Sequence, residues 1–230
     1  MCDEMLKQFP LHEREARSKG IPMLGSGKIY PVSEDDIFID PIKLPVYWPK
    51  AYGMDVGWNR TAVVWGAWDR DSDVLYIYSE HYLGQNPPQI HAHSIRARGD
   101  YIPGVIDPAG AGSSQVDGSR LIDIYRNLGL KIRPAENAVE AGIYNVYSRL
   151  VSGRLKVFRT CTNWASEYRI YRRNKKGMIV KENDHLMDAT RYLVSSGLAY
   201  AKCLPNADDD DEDEDNVVPF RTGKSSITGY

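Results

Sequence analysis

The first fifty positions of the chain carry no sustained hydrophobic period. A short amphipathic stretch at Leu11 to Arg17 is followed by Gly20-Ile-Pro22, Gly25-Ser-Gly27, Pro41, Pro45 and Pro49, which break both helix and strand. From Ala51 the pattern changes. Ala51 to Val56, Thr61 to Trp68 and Val74 to Tyr82 are β-branched and aromatic runs, and Asp69 to Asp73 supplies a turn between the second and third. Three consecutive antiparallel strands are predicted. Pro87 and Pro88 suit the first turn of a helix ending near Arg98, and Gly104-Val-Ile106 is a short buried strand. Helix and strand then alternate. Leu121, Ile124, Tyr125 and Leu128 mark a helix stopped at Gly129, and Leu130 to Arg133 a strand. Val139 to Val151 is a helix stopped at Gly153, and Leu155 to Phe158 a strand. Thr162 is placed to cap a helix bearing Trp164, Tyr168 and Tyr171. Asn183 or Asp184 is placed to cap a last helix running to about Ala201. A three-strand meander followed by strand-helix units predicts an α/β fold with a ribonuclease H-like mixed β-sheet flanked by helices.

Composition narrows the class. At 230 residues, 42% hydrophobic and 26% charged, the chain supports one substantial core, expected over residues 51–204. Residues 1–50 are expected to be an extended arm or linker and residues 205–230 a disordered acidic tail. No apolar run approaches the roughly 18 to 20 residues needed to cross a bilayer, and the N-terminus lacks the basic-then-apolar order of a secretory signal. A soluble intracellular protein with no membrane partner is expected. Cys2, Cys161 and Cys203 lie far apart, in neither zinc-ligand nor disulfide-framework spacing.

The formal charge of −2 conceals a segregation. Residues 208–215 are eight consecutive acids, and taking these from the 31 acids leaves 23 against 29 bases, a net of +6. A positive body suits a polyanionic partner. The acidic run is expected to be a solubilising extension, in preference to a mimic of DNA.

Three aspartates carry the chemistry. Asp55 interrupts an apolar strand, where a carboxylate is costly without a cation or hydrogen-bond donors. Asp107 ends a short strand and opens into the Gly-rich Ala109 to Gln115 loop. Asp188 lies inside the last helix, too deep to act as a cap, whereas Asp184, one turn earlier, has a capping role available to it. Each has a bland reading as an edge acid, an Asp-Pro turn or a cap. Together they form the donor set a hard divalent cation takes, and a pair of such ions clamps both oxygens of a phosphodiester displacement.

Ala51-Tyr-Gly-Met-Asp-Val-Gly57, Val105-Ile-Asp-Pro-Ala-Gly110 and Asp184-His-Leu-Met-Asp-Ala-Thr-Arg-Tyr192 resemble the nuclease domain of the large terminase subunit of tailed bacteriophages. The resemblance extends over residues 11–201, including the lead-in from Glu13 to Tyr30, which is similar to the segment leaving the ATPase domain in that family. It implies a ribonuclease H-like endonuclease cutting concatemeric viral DNA, with Asp55, Asp107 and Asp188 holding two Mg2+ or Mn2+ ions. His185 and Asp184 are auxiliary candidates. It also implies double-stranded DNA, the terminase ATPase domain, the small terminase subunit and the portal as partners, and the host cytoplasm as location. Neither Gly25-Ser-Gly-Lys28 nor Gly223-Lys-Ser225 completes a phosphate loop, since Pro22 and Val218 stand where glycine is required. The chain is therefore expected to be a nuclease fragment or a separately encoded nuclease half.

Arg169, Arg172, Arg173, Lys175 and Lys176, interleaved with Tyr168 and Tyr171, are candidates for gripping phosphates, with a plain basic helix face as the alternative. Arg60, in Trp58-Asn-Arg60 just after Asp55, is a further candidate for DNA contact, with a hairpin turn as its alternative. His91 and His93 are read as a solvated helix surface. Two rival functions remain open. Asp55-Val-Gly57 with Thr61-Ala-Val also resembles the phosphate-binding strands of actin-like ATPases and sugar kinases, and a non-catalytic module docking DNA or the portal would bind without cutting.

Overall fold

The computed structural model describes residues 27–108 and 120–205. The expected helix at Leu11 to Arg17, the loop from Ala109 to Gln115, Cys2 and the acidic run all lie outside them. In chain order the elements are β1 (Gly27–Lys28), α1 (Glu34–Ile37), β2 (Phe38–Ile39), β3 (Lys50–Asp55), β4 (Thr61–Asp69), β5 (Val74–Leu83), α2 (Pro88–Arg96) and β6 (Gly104–Ile106). There follow α3 (Leu121–Asn127), β7 (Ile132–Pro134), α4 (Val139–Val151), β8 (Leu155–Phe158), α5 (Thr162–Ile170), β9 (Arg172–Arg173) and α6 (His185–Ser195), with a 3-10 turn at Gly197–Tyr200.

Seven strands form one mixed sheet in the order β2-β8-β5-β4-β3-β6-β7. The β3-β4-β5 meander is antiparallel, and β6 adds to β3 in parallel, as expected from the sequence. Alternation divides the sheet between two cores. Tyr52, Met54, Val63 and Trp65 face α2 and α3, whereas Ala51, Ala62 and Val64 face α4, α5 and α6. Gly129 and Gly153, in the left-handed region at φ +88 and +71, end α3 and α4 as their positions predict.

Four local expectations are corrected. Part of the expected arm belongs to the sheet. Phe38–Ile39 pairs in parallel with β8, and Tyr30, Ile37 and Phe38 are buried, but two-residue strands carry no readable period. The last helix stops at Ser195 instead of near Ala201, because Ser196 leaves helical geometry and Gly197 passes close to Leu193 and Val105. Thr162 makes no capping hydrogen bond. The Glu80 carboxylate, from β5, instead accepts from the Asn163 and Trp164 amides at 2.9 and 2.8 Å, a cap supplied across the fold that local sequence cannot reveal. His91 is buried, with Nδ1 2.9 Å from His81 Nε2, while His93 is exposed.

Helix α6 packs closely on β3. A Cβ on Gly53 would stand 2.1 Å from the Ala189 carbonyl oxygen and 2.8 Å from the Leu193 amide nitrogen, so helix backbone rests directly on strand backbone. Leu186, Ala189 and Leu193, at i, i+3 and i+7, form the buried stripe that makes this contact.

Gly53→Ala is expected to destabilise the fold by about 3 kcal/mol or more, since backbone cannot swing aside as a side chain does, and to lower Tm by roughly 6 to 12 °C. Thermal and urea unfolding check this, and an unchanged midpoint would mean that α6 does not rest on Gly53. The histidine pair generates a pH prediction. Burial, then the neighbouring His91, hold His81 down at about 4 against an ordinary 6.5, so the unfolded chain binds the proton more readily. Stability present at pH 7 is lost as pH falls from about 6.5 towards 4, by about 3 kcal/mol from this group. Unfolding of His81→Gln should show a shallower decline across that window.

Candidate active site

Asp55 closes β3 and Asp107 follows β6 at once, so two neighbouring parallel strands deliver their carboxylates at the same end of the sheet. The Asp107 amide donates to the Met54 carbonyl at 2.9 Å, which fixes the two strand ends against each other. Asp55 shares the parity of Ala51 and Gly53, and Asp107 that of Val105, which packs on Tyr192, so both acids point to the face crossed by α6. On α6, His185, Asp188 and Tyr192 follow at i, i+3 and i+7, along one side of the helix.

Protein donors hold all three carboxylates. His185 Nδ1 lies 2.8 Å from Asp55 Oδ2, and the Tyr192 hydroxyl donates to Asp107 Oδ1 at 3.1 Å. Asp188 accepts from Arg191 at Oδ1 at 3.1 Å and from Lys181 at Oδ2 at 2.9 Å. Lys181 also stands 2.9 Å from Asp184 Oδ2, so one ammonium joins two buried carboxylates. Asp184 is at the N-cap position of α6 but makes no capping bond with its side chain.

The electrostatics follow from this packing. Burial raises the Asp55 pKa; the His185 hydrogen bond opposes that, while Asp188 and Asp107 add to it by repulsion. The hydrogen bond to Asp55 in turn raises His185. Burial is the largest single influence and works against the Lys181 and Arg191 charges, yet Asp188 together with Asp184 for Lys181, and with Tyr192 for Arg191, outweighs it and both pKa values end raised.

Glu167 is a supporting residue that reading the sequence missed. It is 2% exposed, accepts from the Tyr82 hydroxyl at 2.7 Å and from the Leu186 amide at 2.6 Å, and so anchors the first turn of α6. A signal existed. Trp164, Glu167, Tyr168 and Tyr171 fall at i, i+3, i+4 and i+7, so the glutamate occupies a buried stripe. Lys181 carries no such signal, because it precedes the helix in irregular chain.

The basic candidates separate. Arg169 is committed to a two-pronged pair with Glu34, and Arg173 to Glu140 and the Gly177 carbonyl. Arg172, Lys175 and Lys176 are exposed on β9 and the turn after it, which is a hairpin bridging Arg173 to Ile179 and not a helix face. Tyr168 and Tyr171 are core residues, 1% and 2% exposed, so their expected interleaving with the basic side chains does not reach the surface. The Arg60 guanidinium lies 4.3 Å from the Tyr82 ring centre, and Trp58 is exposed.

The carboxylate donors suit a hard divalent cation in type and in shared face. Among the described residues, however, no three His, Cys, Asp or Glu side chains stand together in a ready cation cage. The oxygens are directed instead at His185, Lys181, Arg191 and Tyr192.

The sequence profile described as the terminase RNaseH-like domain matches residues 52–196. The large terminase subunit of Salmonella phage P22 is 32% identical over 200 residues, 83% of this chain and 40% of that protein, so the chain spans less than half the length of this relative. The solved nuclease domain of the P22 large terminase superposes with a TM-score of 0.71 at 30% identity, covering 78% of this chain and 96% of the P22 domain. The large terminase nuclease domain of bacteriophage SPP1, solved with bound Mn, superposes at 0.53 with 18% identity, covering 70% and 96%, which speaks to the fold alone.

Asp55→Asn removes an ionisation that burial penalises. Because the folded pKa is raised, the penalty exists above the ordinary carboxylate range and vanishes in acid. The variant is expected to melt higher than the parent at pH 7.5, with the difference closing near pH 3. Calorimetry across pH checks both the sign and the closure.

Proposed function

The chain belongs to the terminase RNaseH-like domain family, and from that we propose that it is a divalent-metal-dependent endodeoxyribonuclease cutting concatemeric viral DNA during genome packaging. The observation that carries this reading is the delivery of Asp55 and Asp107 by adjacent parallel strand ends to the face where α6 presents Asp188. The chain is proposed to be the nuclease part of a longer packaging enzyme, with residues 27–204 as its catalytic domain because β2 joins the sheet, the chain before residue 27 as the link to an ATPase and residues 205–230 as a tail.

Asp55, Asp107 and Asp188 would hold two Mg2+ or Mn2+ ions. Such ions lower the pKa of bound water and neutralise charge at both ends of an in-line phosphodiester displacement. Around them the protein positions and compensates. His185 orients the Asp55 carboxylate through its 2.8 Å contact, while Lys181 and Arg191 each donate to one oxygen of Asp188 inside the fold. Asp184 holds Lys181 in place. Tyr192 donates to Asp107 and limits which of its oxygens can turn towards a ligand. Exposed Arg172, Lys175 and Lys176, with Arg60 beyond β3, would meet phosphates of the DNA. Arg169 and Arg173 would serve mainly to hold the fold, given their acidic partners.

Double-stranded DNA is the proposed substrate, with the terminase ATPase domain, the small terminase subunit and the portal as partners in the host cytoplasm. No helix among the described residues is long and apolar enough to cross a membrane.

Nicking of supercoiled plasmid in Mg2+, Mn2+ and chelator tests the reading. Activity is expected with either ion and not with chelator, and Asp55→Ala, Asp107→Ala and Asp188→Ala should each lower the rate more than about a hundredfold while remaining folded. His185→Ala should cost about 10- to 100-fold. DNA binding without cleavage under every metal condition would instead identify a docking module.

A further inference from the structure

Along the β7 edge of the sheet lies a second feature that the nuclease reading does not use. An open groove of about 910 Å³ runs beside β7, the last strand of the sheet, reaching from Pro103 before β6 to the 3-10 turn. Arg126, Lys131, Arg133 and Lys202 line it, and no acidic residue does. Tyr200 supplies an aromatic wall, with the Arg133 guanidinium 4.6 Å from its ring centre. The groove's lining includes none of Asp55, Asp107 and Asp188, although Pro134 pairs with Ile106 just before Asp107.

Arg126 is paired with Asp123 at 3.1 Å outside the lining, but Lys131, Arg133 and Lys202 gather with no acid among the groove's own residues, and such a cluster calls for an anion. The chain itself carries one close at hand. Five residues separate Lys202, in the groove, from Asp208, the first of the eight consecutive acids. Six residue steps span at most about 20 Å, enough to return the acidic run to the groove, and so short a tether gives an effective concentration in the millimolar range. We propose that this groove seats the chain's own acidic run, residues 208–215, in cis. The run thereby neutralises this basic surface and leaves the exposed arginine and lysines at β9 as the surface open to polyanions. The proposal rests on charge and tether and is independent of whether the three aspartates catalyse.

Lysine acetylation of the full chain, followed residue by residue by mass spectrometry, tests it. Lys131 is the reporter, because Lys202 is near the run by connectivity alone, and exposed Lys43 is the control. A variant with all acids of 208–215 replaced by Asn or Gln should acetylate Lys131 about threefold faster or more, with Lys43 unchanged. Half-molar salt should do the same to the parent, since screening shortens to about 4 Å. Arg133→Glu should release Lys131 as well, while keeping the reporter amine and the tail intact. Unchanged Lys131 reactivity in the neutralised variant would overturn the proposal. So would release confined to Lys175 and Lys176, which would place the run on the β9 hairpin, or protection that grows with protein concentration, which would assign it to a second copy.

Discussion

Backbone-to-backbone contact between α6 and β3 at Gly53 is the constraint from which the rest of the site follows. A helix that rests on a strand with no side chain between them comes nearer to the sheet than ordinary packing allows. Its side chains can then reach the strand ends. His185 touches Asp55 two residues beyond the glycine, and Tyr192 reaches Asp107 on the neighbouring strand. Gly142 plays the matching part on the other side of α6, where a Cβ would meet the Arg191 side chain at 2.5 Å. With α4 and β3 both pressed close, the helix has little freedom to rotate, and Arg191 is steered onto Asp188.

Charge balance is the second consequence. Three carboxylates gathered in a partly buried place repel one another and lose hydration, yet the structure keeps them by directing one donor set to each. The donors differ in kind. Arg191 is buried and locked, Lys181 is 62% exposed along its side chain and approaches from irregular chain, and His185 is neutral or charged according to its partner. A cation entering the site therefore meets one compensating charge that is fixed and one that has solvent to retreat into.

The antiparallel meander and the packing stripe on α6 were legible in the sequence because each repeats a period over enough residues to be read. The strand-end placement of Asp55 and Asp107 and the parallel addition of β6 to β3 followed from the order of the elements, since three residues of β6 carry no period. What escaped lacks a period or is supplied from far along the chain. Phe38–Ile39 is too short to alternate, the Glu80 cap lies 83 residues from Asn163, and the His81–His91 bond joins two elements whose separate patterns say nothing of each other. Tyr168 and Tyr171 misled for a different reason. Arginines beside tyrosines suggest a nucleic-acid surface, but a helix stripe buries one residue type while its neighbours in sequence stay in water.

The distance along the chain between the partners in the site has a consequence for how the molecule comes into being. Strands β3, β4 and β5 are joined by short connections, whereas the Asp55–His185 contact closes a loop of 130 residues. Loop-closure entropy favours the local meander in the folding nucleus and leaves the docking of α6 to the downhill side of the transition state. Side chains on α6 then govern how fast the native molecule opens more than how fast it forms. The same order keeps the acidic site unassembled until the chain through Ser195 is in place, so an incompletely folded molecule carries the strand acids without the helix that completes them.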